Sequence, residues 1–275
     1  MGFLPWGTPV IPELILVCAV VGVFAGLMGG ALGLGGGVVI VPALLGVYYW
    51  MDIDPVVRVQ MAVATSLATI VVTSISAVRA HARSGNLRRE IIVAMVPGVA
   101  LGALGGAFIA DWLPGETLAR LFGVFAMLIA LRMLLSGAGA GEDDGERVPG
   151  TAVMLPGAVV IGAVSSMFGI GGGSMTVPFM HWCRVRMQQA VAVSSACGLP
   201  IALAGCAGFI FAGWGRAELP AGSLGYIYLP AALAIVVTSY PAARLAAGMV
   251  DRIPAVALRR VFAVVLFLVG LRLVL

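Results

Sequence analysis

Long apolar runs, each at least the length of a membrane crossing, constrain this chain more than any other feature. They lie at 10–50, 59–80, 91–110, 117–135, 151–182, 188–214, 223–248 and 255–275. A hydrocarbon core of about 30 Å takes about 20 helical residues to cross. Short charged or Pro-rich breaks separate the runs, among them MDIDPVVR, RAHARSGNLRRE, DWLPGE, CRVRMQQ, WGRAELP and DRIP. Charged residues make up 10% of the chain and hydrophobic ones 61%, against about 25% charged in a soluble domain. So little charge cannot cover a soluble enzyme, and a disordered chain would be polar. A β-barrel would alternate along short segments, and these runs do not. The expectation is an all-α polytopic membrane protein of about 8–10 membrane segments. Runs 10–50 and 151–182 are too long for one span, and Gly-rich stretches cut each in two.

The net charge is +4, and all sixteen basic residues are Arg. In a membrane protein such an excess sets orientation, so no nucleic-acid partner is expected. The lipid bilayer is the partner the composition demands, and a homo-oligomer is compatible with it. Cys18, Cys183, Cys197 and Cys206 show no CxxC spacing and read as small packing residues, without metal or disulfide. The first basic residue is Arg58, so the start lacks the positive n-region of a signal peptide. The first apolar segment is expected to stay in the mature protein, with its N-terminus outside the cytoplasm.

The chain repeats itself. ALGLGGGVVIVPAL (31–44) matches MFGIGGGSMTVPFM (167–180), VQMAVATS (59–66) matches MQQAVAVS (187–194), and LARLFGVFAMLIALRMLL (118–135) matches LRRVFAVVLFLVGLRLVL (258–275). The order is the same in both halves, which indicates duplication. The division expected is an N-terminal transmembrane repeat at 1–136, a Gly- and acid-rich linker at 137–150, and a C-terminal transmembrane repeat at 151–275. Charges reverse between the halves. Breaks in the first run acidic (Asp52, Asp54, Arg58), basic (Arg79, Arg83, Arg88, Arg89 against Glu90), then acidic (Asp111, Glu116). Those in the second run basic (Arg184, Arg186), neutral (Arg216, Glu218), then basic (Arg244, Arg252, Arg259, Arg260 against Asp251). Equivalent loops then lie on opposite sides of the membrane. This requires an inverted-topology repeat, each copy beginning with a Gly-interrupted helical hairpin. The linker comes out cytoplasmic and both termini external. Whether the Gly segments cross fully or dip in as re-entrant hairpins stays open, because the parity is the same.

Two matched pairs of motifs carry the chemistry. The first is Gly35, Gly36 and Gly37 with Pro42, and Gly171, Gly172 and Gly173 with Ser174 and Pro178. Triple glycine at membrane depth unwinds a helix, and the freed N–H groups must line a cavity or meet a ligand. A helix restarting there points its partly positive N-terminus at an anion. Gly22, Gly26 and Gly30 fit tight helix packing instead. The second pair is Thr65-Ser66 and Ser194-Ser195, whose hydroxyls can donate to a buried anion or bond to neighbouring helices. Gln60, Gln188 and Gln189 read as interfacial, Arg132 and Arg272 as snorkelling ends, and His181 as packed, with a coupling or substrate role as the alternative.

No Asp or Glu lies in the matched core motifs, which disfavours a cation site. No nucleophile frame, HExxH or Walker A motif is present, so neither an enzyme nor an ATP-driven pump is expected, and no cofactor. Secondary transport of a small anion fits, one half rocking against the other about a midplane site. A non-transporting membrane scaffold and a cation or metal carrier are the rivals.

The tandem xGxGGGxxxVP motifs, each opening one half, resemble the sulfite exporter TauE/SafE family of membrane permeases, and the resemblance covers nearly the whole chain, from about residue 10 to the end. The resemblance implies a bacterial inner (cell) membrane transporter, multi-pass, for sulfur oxyanions or organosulfonates such as sulfite. It places the motif on Gly35, Gly36, Gly37 and Pro42 and on Gly171, Gly172, Gly173 and Pro178. The first copy has Val38 where the second has Ser174, so the half-sites are expected to contribute unequally. Carriage of other small organic anions remains an alternative.

Overall fold

A computed structural model describes residues 10–32, 36–83, 87–135, 150–249 and 255–275. Ten helices lie among them. Five precede the linker: α1 (Val10–Leu32), α2 (Gly37–Trp50), α3 (Pro55–Arg83), α4 (Arg89–Trp112) and α5 (Gly115–Leu135). Five follow it: α6 (Thr151–Met167), α7 (Gly173–Trp182), α8 (Met187–Ala212), α9 (Leu229–Met249) and α10 (Ala255–Val274). The apolar spans Pro55–Arg79, Arg89–Trp112, Gly115–Leu135 and Gln188–Ala212 are long enough to cross a bilayer. Side chains such as Val93, Leu101, Leu128, Val160, Leu233 and Val237 point out of the bundle. On a soluble protein they would form an untenable patch; here they face lipid. The chain is an all-α polytopic membrane protein.

Local sequence sets the boundaries. Asp54 caps α3, its Oδ1 accepting the Val56 N–H at 2.9 Å, and Pro55 occupies the first helical position where no N–H is missed. Pro114 precedes α5, and Gly36 and Gly172 sit at the starts of α2 and α7. Run 223–248 departs from a single helix. Its first residues form a short antiparallel hairpin, β1 (Ser223–Leu224) and β2 (Ile227–Tyr228), before α9 begins. Gly225 in the turn has φ +53°, which a continuing helix cannot accommodate.

Packing partners are exchanged between the halves: α1 lies on α9 and α4 on α6, while α3 meets α8 and α5 meets α10. Gly22 rests on Ile235 and Thr238, and Gly26 on Ser239 and Ala242, so α1 and α9 run parallel. Gly98, Gly102 and Gly106 rest in turn on Leu155, Val159 and Ala163, so α4 and α6 also run parallel. In contrast, Gly198 faces Ser74 while Gly205 faces Leu67, which makes α3 and α8 antiparallel. Gly123 faces Val274 and Gly270 faces Met127, so α5 and α10 are antiparallel too.

Helices α2 and α7 have 14 and 10 residues, about 21 and 15 Å at 1.5 Å per residue, too short to cross the core. Phe179 of α7 touches Gly157 of α6, which places α7 folded back along α6. These are the Gly-interrupted hairpins.

Candidate substrate site at the paired helix breaks

The second break runs from Phe168 to Gly172. The chain leaves α6 through bonds from Gly169 N to Ser166 O (3.2 Å) and Ile170 N to Ser165 O (2.8 Å). Gly169 and Gly172 have φ of +65° and +77°, a left-handed backbone that glycine adopts without strain. Helix α7 restarts with the N–H groups of Met175 and Thr176 donating to Gly172 O at 3.1 and 2.8 Å. The N–H groups of Gly171, Gly173 and Ser174 find no backbone acceptor among the described residues. The hydroxyls of Ser165, Ser166, Ser174 and Thr176 are buried without a partner. Unpaired donors are costly in a packed interior, and these gather around one glycine run.

The break is held by α2, α3 and α8. Ser66 Oγ donates to Gly169 O at 2.8 Å. Gly37 packs directly on Gly169 and Ile170, so closely that a Cβ there would lie 2.4 Å from Gly169 O. The two matched glycine segments therefore meet in space. Gly198 of α8 abuts Gly171 O and Ser74 Oγ, and Ile201 abuts Gly172. Ser66 and Gly198 lie near the middles of the apolar spans Pro55–Arg79 and Gln188–Ala212, so the contact sits far from either helix end.

The other sequence-derived candidates separate. Gly36 starts α2 as Gly172 starts α7: Val39 N and Ile40 N both donate to Gly36 O at 3.1 Å. Gly35 lies outside the described residues. Pro42 and Pro178 stand inside α2 and α7, where the missing N–H frees the carbonyl four residues earlier, that of Val38 and of Ser174. The Thr65 hydroxyl is committed to protein partners, accepting from Tyr48 Oη and from Tyr228 N, both at 3.1 Å. Ser194 is buried one helical turn before Gly198, on the same face of α8, and Ser195 is half-buried beside it. Gln60 clamps the end of α4, its Nε2 donating to Leu113 O at 3.1 Å. His181, Gln188, Arg132 and Arg272 are exposed. Sequence reasoning passed over Ser165, Ser166 and Thr176, although SSMFGIGGGSMT brackets the break with hydroxyls.

Broken helices meeting at mid-span in a multi-pass helical bundle are an arrangement that membrane transporters use. A model of the sulfite exporter TauE/SafE family matches residues 18–273, and the chain belongs to that family. It is 35% identical to a probable membrane transporter protein of Haemophilus influenzae, over 94% of this chain and 97% of the relative. Probable membrane transporter proteins of Bacillus subtilis and Methanocaldococcus jannaschii are 27% and 25% identical, each over 94% of this chain, and over 97% and 94% of the relative. No solved structure matches.

Proposed function

We propose that the chain is a secondary transporter of small anions, with sulfur oxyanions or organosulfonates such as sulfite as the substrate class. The observation that carries this reading is the donor set at the second break: three N–H groups and the Ser174 and Thr176 hydroxyls, unpartnered inside a bundle of apolar helices. N–H groups cannot ligate a cation. Together with the N-terminal dipole of α7 they favour an oxyanion. A sulfonate or sulfite presents several acceptor oxygens and can satisfy several donors at once. In this reading the site lies near the bilayer midplane, with Gly36, Gly37, Gly171, Gly172, Gly173, Ser174 and Ser66 at its centre and Ser194 and Ser195 on the neighbouring wall.

The parallel and antiparallel helix pairs support an inverted repeat of residues 1–136 and 151–275 about an axis in the membrane plane. The charge pattern supports an inner-membrane orientation with the 137–150 linker in the cytoplasm and both termini outside. Gly37 seats directly on Gly169, so the two glycine segments touch. Alternating access would open the break to one side at a time.

The test is flux into proteoliposomes of sulfite, thiosulfate, a sulfonate and a carboxylate, each against a chloride control. Thr176→Val removes a hydroxyl while keeping the side-chain volume, and is expected to cut flux of the preferred anion by about tenfold, one charge-assisted hydrogen bond. Equal flux in Thr176→Val, or transport of cations in place of anions, overturns the reading. A protein that folds but moves none of these solutes is a scaffold.

A further inference from the structure

We propose that the β1–β2 hairpin is a gate over one end of the path to the helix breaks, latched shut by Asp111; this rests on the transport reading above. The hairpin joins α8 to α9; Leu224 of its first strand is exposed, but its second strand is buried. Tyr226, Ile227 and Tyr228 are only 1%, 4% and 7% exposed. At its inner end the Tyr228 N–H donates to Thr65 Oγ1, which also accepts from Tyr48 Oη. The Tyr48 and Tyr228 rings meet edge to face at 6.1 Å. Thr65 is adjacent to Ser66, the residue that holds Gly169. Thr65 lies nearer the Arg58 end of α3 than Ser66 does, so the Tyr48–Tyr228 pair stands on that side of the break.

At its outer end the hairpin rests on α8, where the Tyr226 N–H donates to Phe209 O at 3.3 Å and the two rings meet edge to face at 6.1 Å, and it is tied to α4 by one carboxylate. Tyr226 Oη donates to Asp111 Oδ1 at 2.6 Å, and Arg216 Nη2 donates to the same oxygen at 2.7 Å. The Arg216 guanidinium also stacks over the Tyr226 ring at 5.4 Å. Burial, reinforced by Asp111, raises the Tyr226 phenol above its ordinary value of 10.0, so the phenol keeps its proton and remains a donor. Asp111 belongs to α4 and the other two residues to the α8–α9 connection, so the latch ties that connection to the bundle wall. The segment bends at three glycines. Gly215, Gly222 and Gly225 have φ of +76°, +88° and +53°, and a two-stranded ladder this short is not stable alone. Its closed position draws on these side-chain contacts as well as on the packing of Gly225 against Ile210.

Thr65→Cys places a thiol directly beneath Tyr228. The native cysteines are free and buried, and the unmodified chain labelled in parallel gives the blank. Labelling by a membrane-impermeant thiol reagent, in nanodiscs, is expected to be about tenfold faster in Thr65→Cys/Asp111→Asn/Tyr226→Phe than in Thr65→Cys alone, the weight of one charge-assisted hydrogen bond. Arg216→Gln provides a second, milder release. Hydrogen exchange over residues 223–228, measured in Asp111→Asn/Tyr226→Phe with Thr65 intact, is expected to quicken by a similar factor. Unchanged labelling and unchanged exchange in folded protein overturn the gate. Neither readout needs a transported anion, so that result leaves the transport reading standing. A parent protein without anion flux refutes the transport reading instead.

Discussion

The contact between the two glycine segments makes a sharp prediction at Gly37. A Cβ at this position would stand 2.4 Å from Gly169 O, 3.0 Å from Ile70 Cδ1 and 3.2 Å from Ile170 Cα. A carbon and a carbonyl oxygen rest about 3.3–3.6 Å apart even when they attract. Gly37→Ala must therefore push α2 away from the second break by about 1 Å, because the opposing atom is backbone and is itself held by Ser66. Overpacking of this kind costs about 1–3 kcal/mol. The better helix propensity of Ala returns less than about 1 kcal/mol so close to a helix start. Gly46, on the same helix, is the control, since nothing lies within 4 Å of its would-be Cβ. Gly46→Ala is expected to be neutral or stabilising by up to about 1 kcal/mol. Equilibrium unfolding of the purified protein, with both variants in one lipid or detergent, separates them: Gly37→Ala falls below the parent and Gly46→Ala does not. Gly37→Ala at or above the parent would mean that the two breaks do not touch, and the shared site would go with them.

Along the α4–α6 seam, a Cβ on Gly102 would stand 2.0 Å from Val159 O, whereas Gly105 has open space; Gly102→Ala is expected to lower the unfolding midpoint while Gly105→Ala leaves it unchanged or raises it. Thr65→Val strips the acceptor from both Tyr48 Oη and Tyr228 N, and two stranded buried donors at about 1–3 kcal/mol each are expected to destabilise the fold more than Ser66→Ala does, with Thr65→Ser close to the parent in the same unfolding assay.

Much of this architecture is legible in the residues because lipid leaves few options. Runs too long for one span but interrupted by three glycines had to become hairpins, and α6–α7 does. Val177-Pro178 and Val41-Pro42 mark the restarted helices within one turn or two of their starts. What sequence could not reveal depends on distant partners. Thr65 looks like Ser66 on paper, but Tyr48 and Tyr228 claim its oxygen from 17 and 163 residues away. The latch joins Asp111 to Arg216 across 105 residues, and its members sit in breaks that read as ordinary polar loops. The hairpin was hidden for the opposite reason. Tyr226, Ile227, Tyr228 and Leu229 are as apolar as the helix that follows them, so hydropathy alone runs the two together.

The packing also bears on how such a bundle can move. Helices in lipid gain nothing from hiding apolar surface on one another, so close backbone approach at small residues must hold them. Here the two parallel glycine-lined seams, α1 on α9 and α4 on α6, each join one half to the other, as the antiparallel α3–α8 and α5–α10 contacts also do. Rocking the two sequence halves apart as rigid bodies would tear both seams at once. The contacts that open at smaller cost are those at the breaks, where unpaired donors already sit and where Gly37 and Ser66 hold Gly169 by one close approach and one hydrogen bond. An anion that satisfies those donors stabilises the separated breaks by the bonds it makes there. Under the transport reading proposed above, substrate binding and the change of access would be one event, with the α1–α9 and α4–α6 pairs as the fixed frame and the short helices α2 and α7 as the parts that yield.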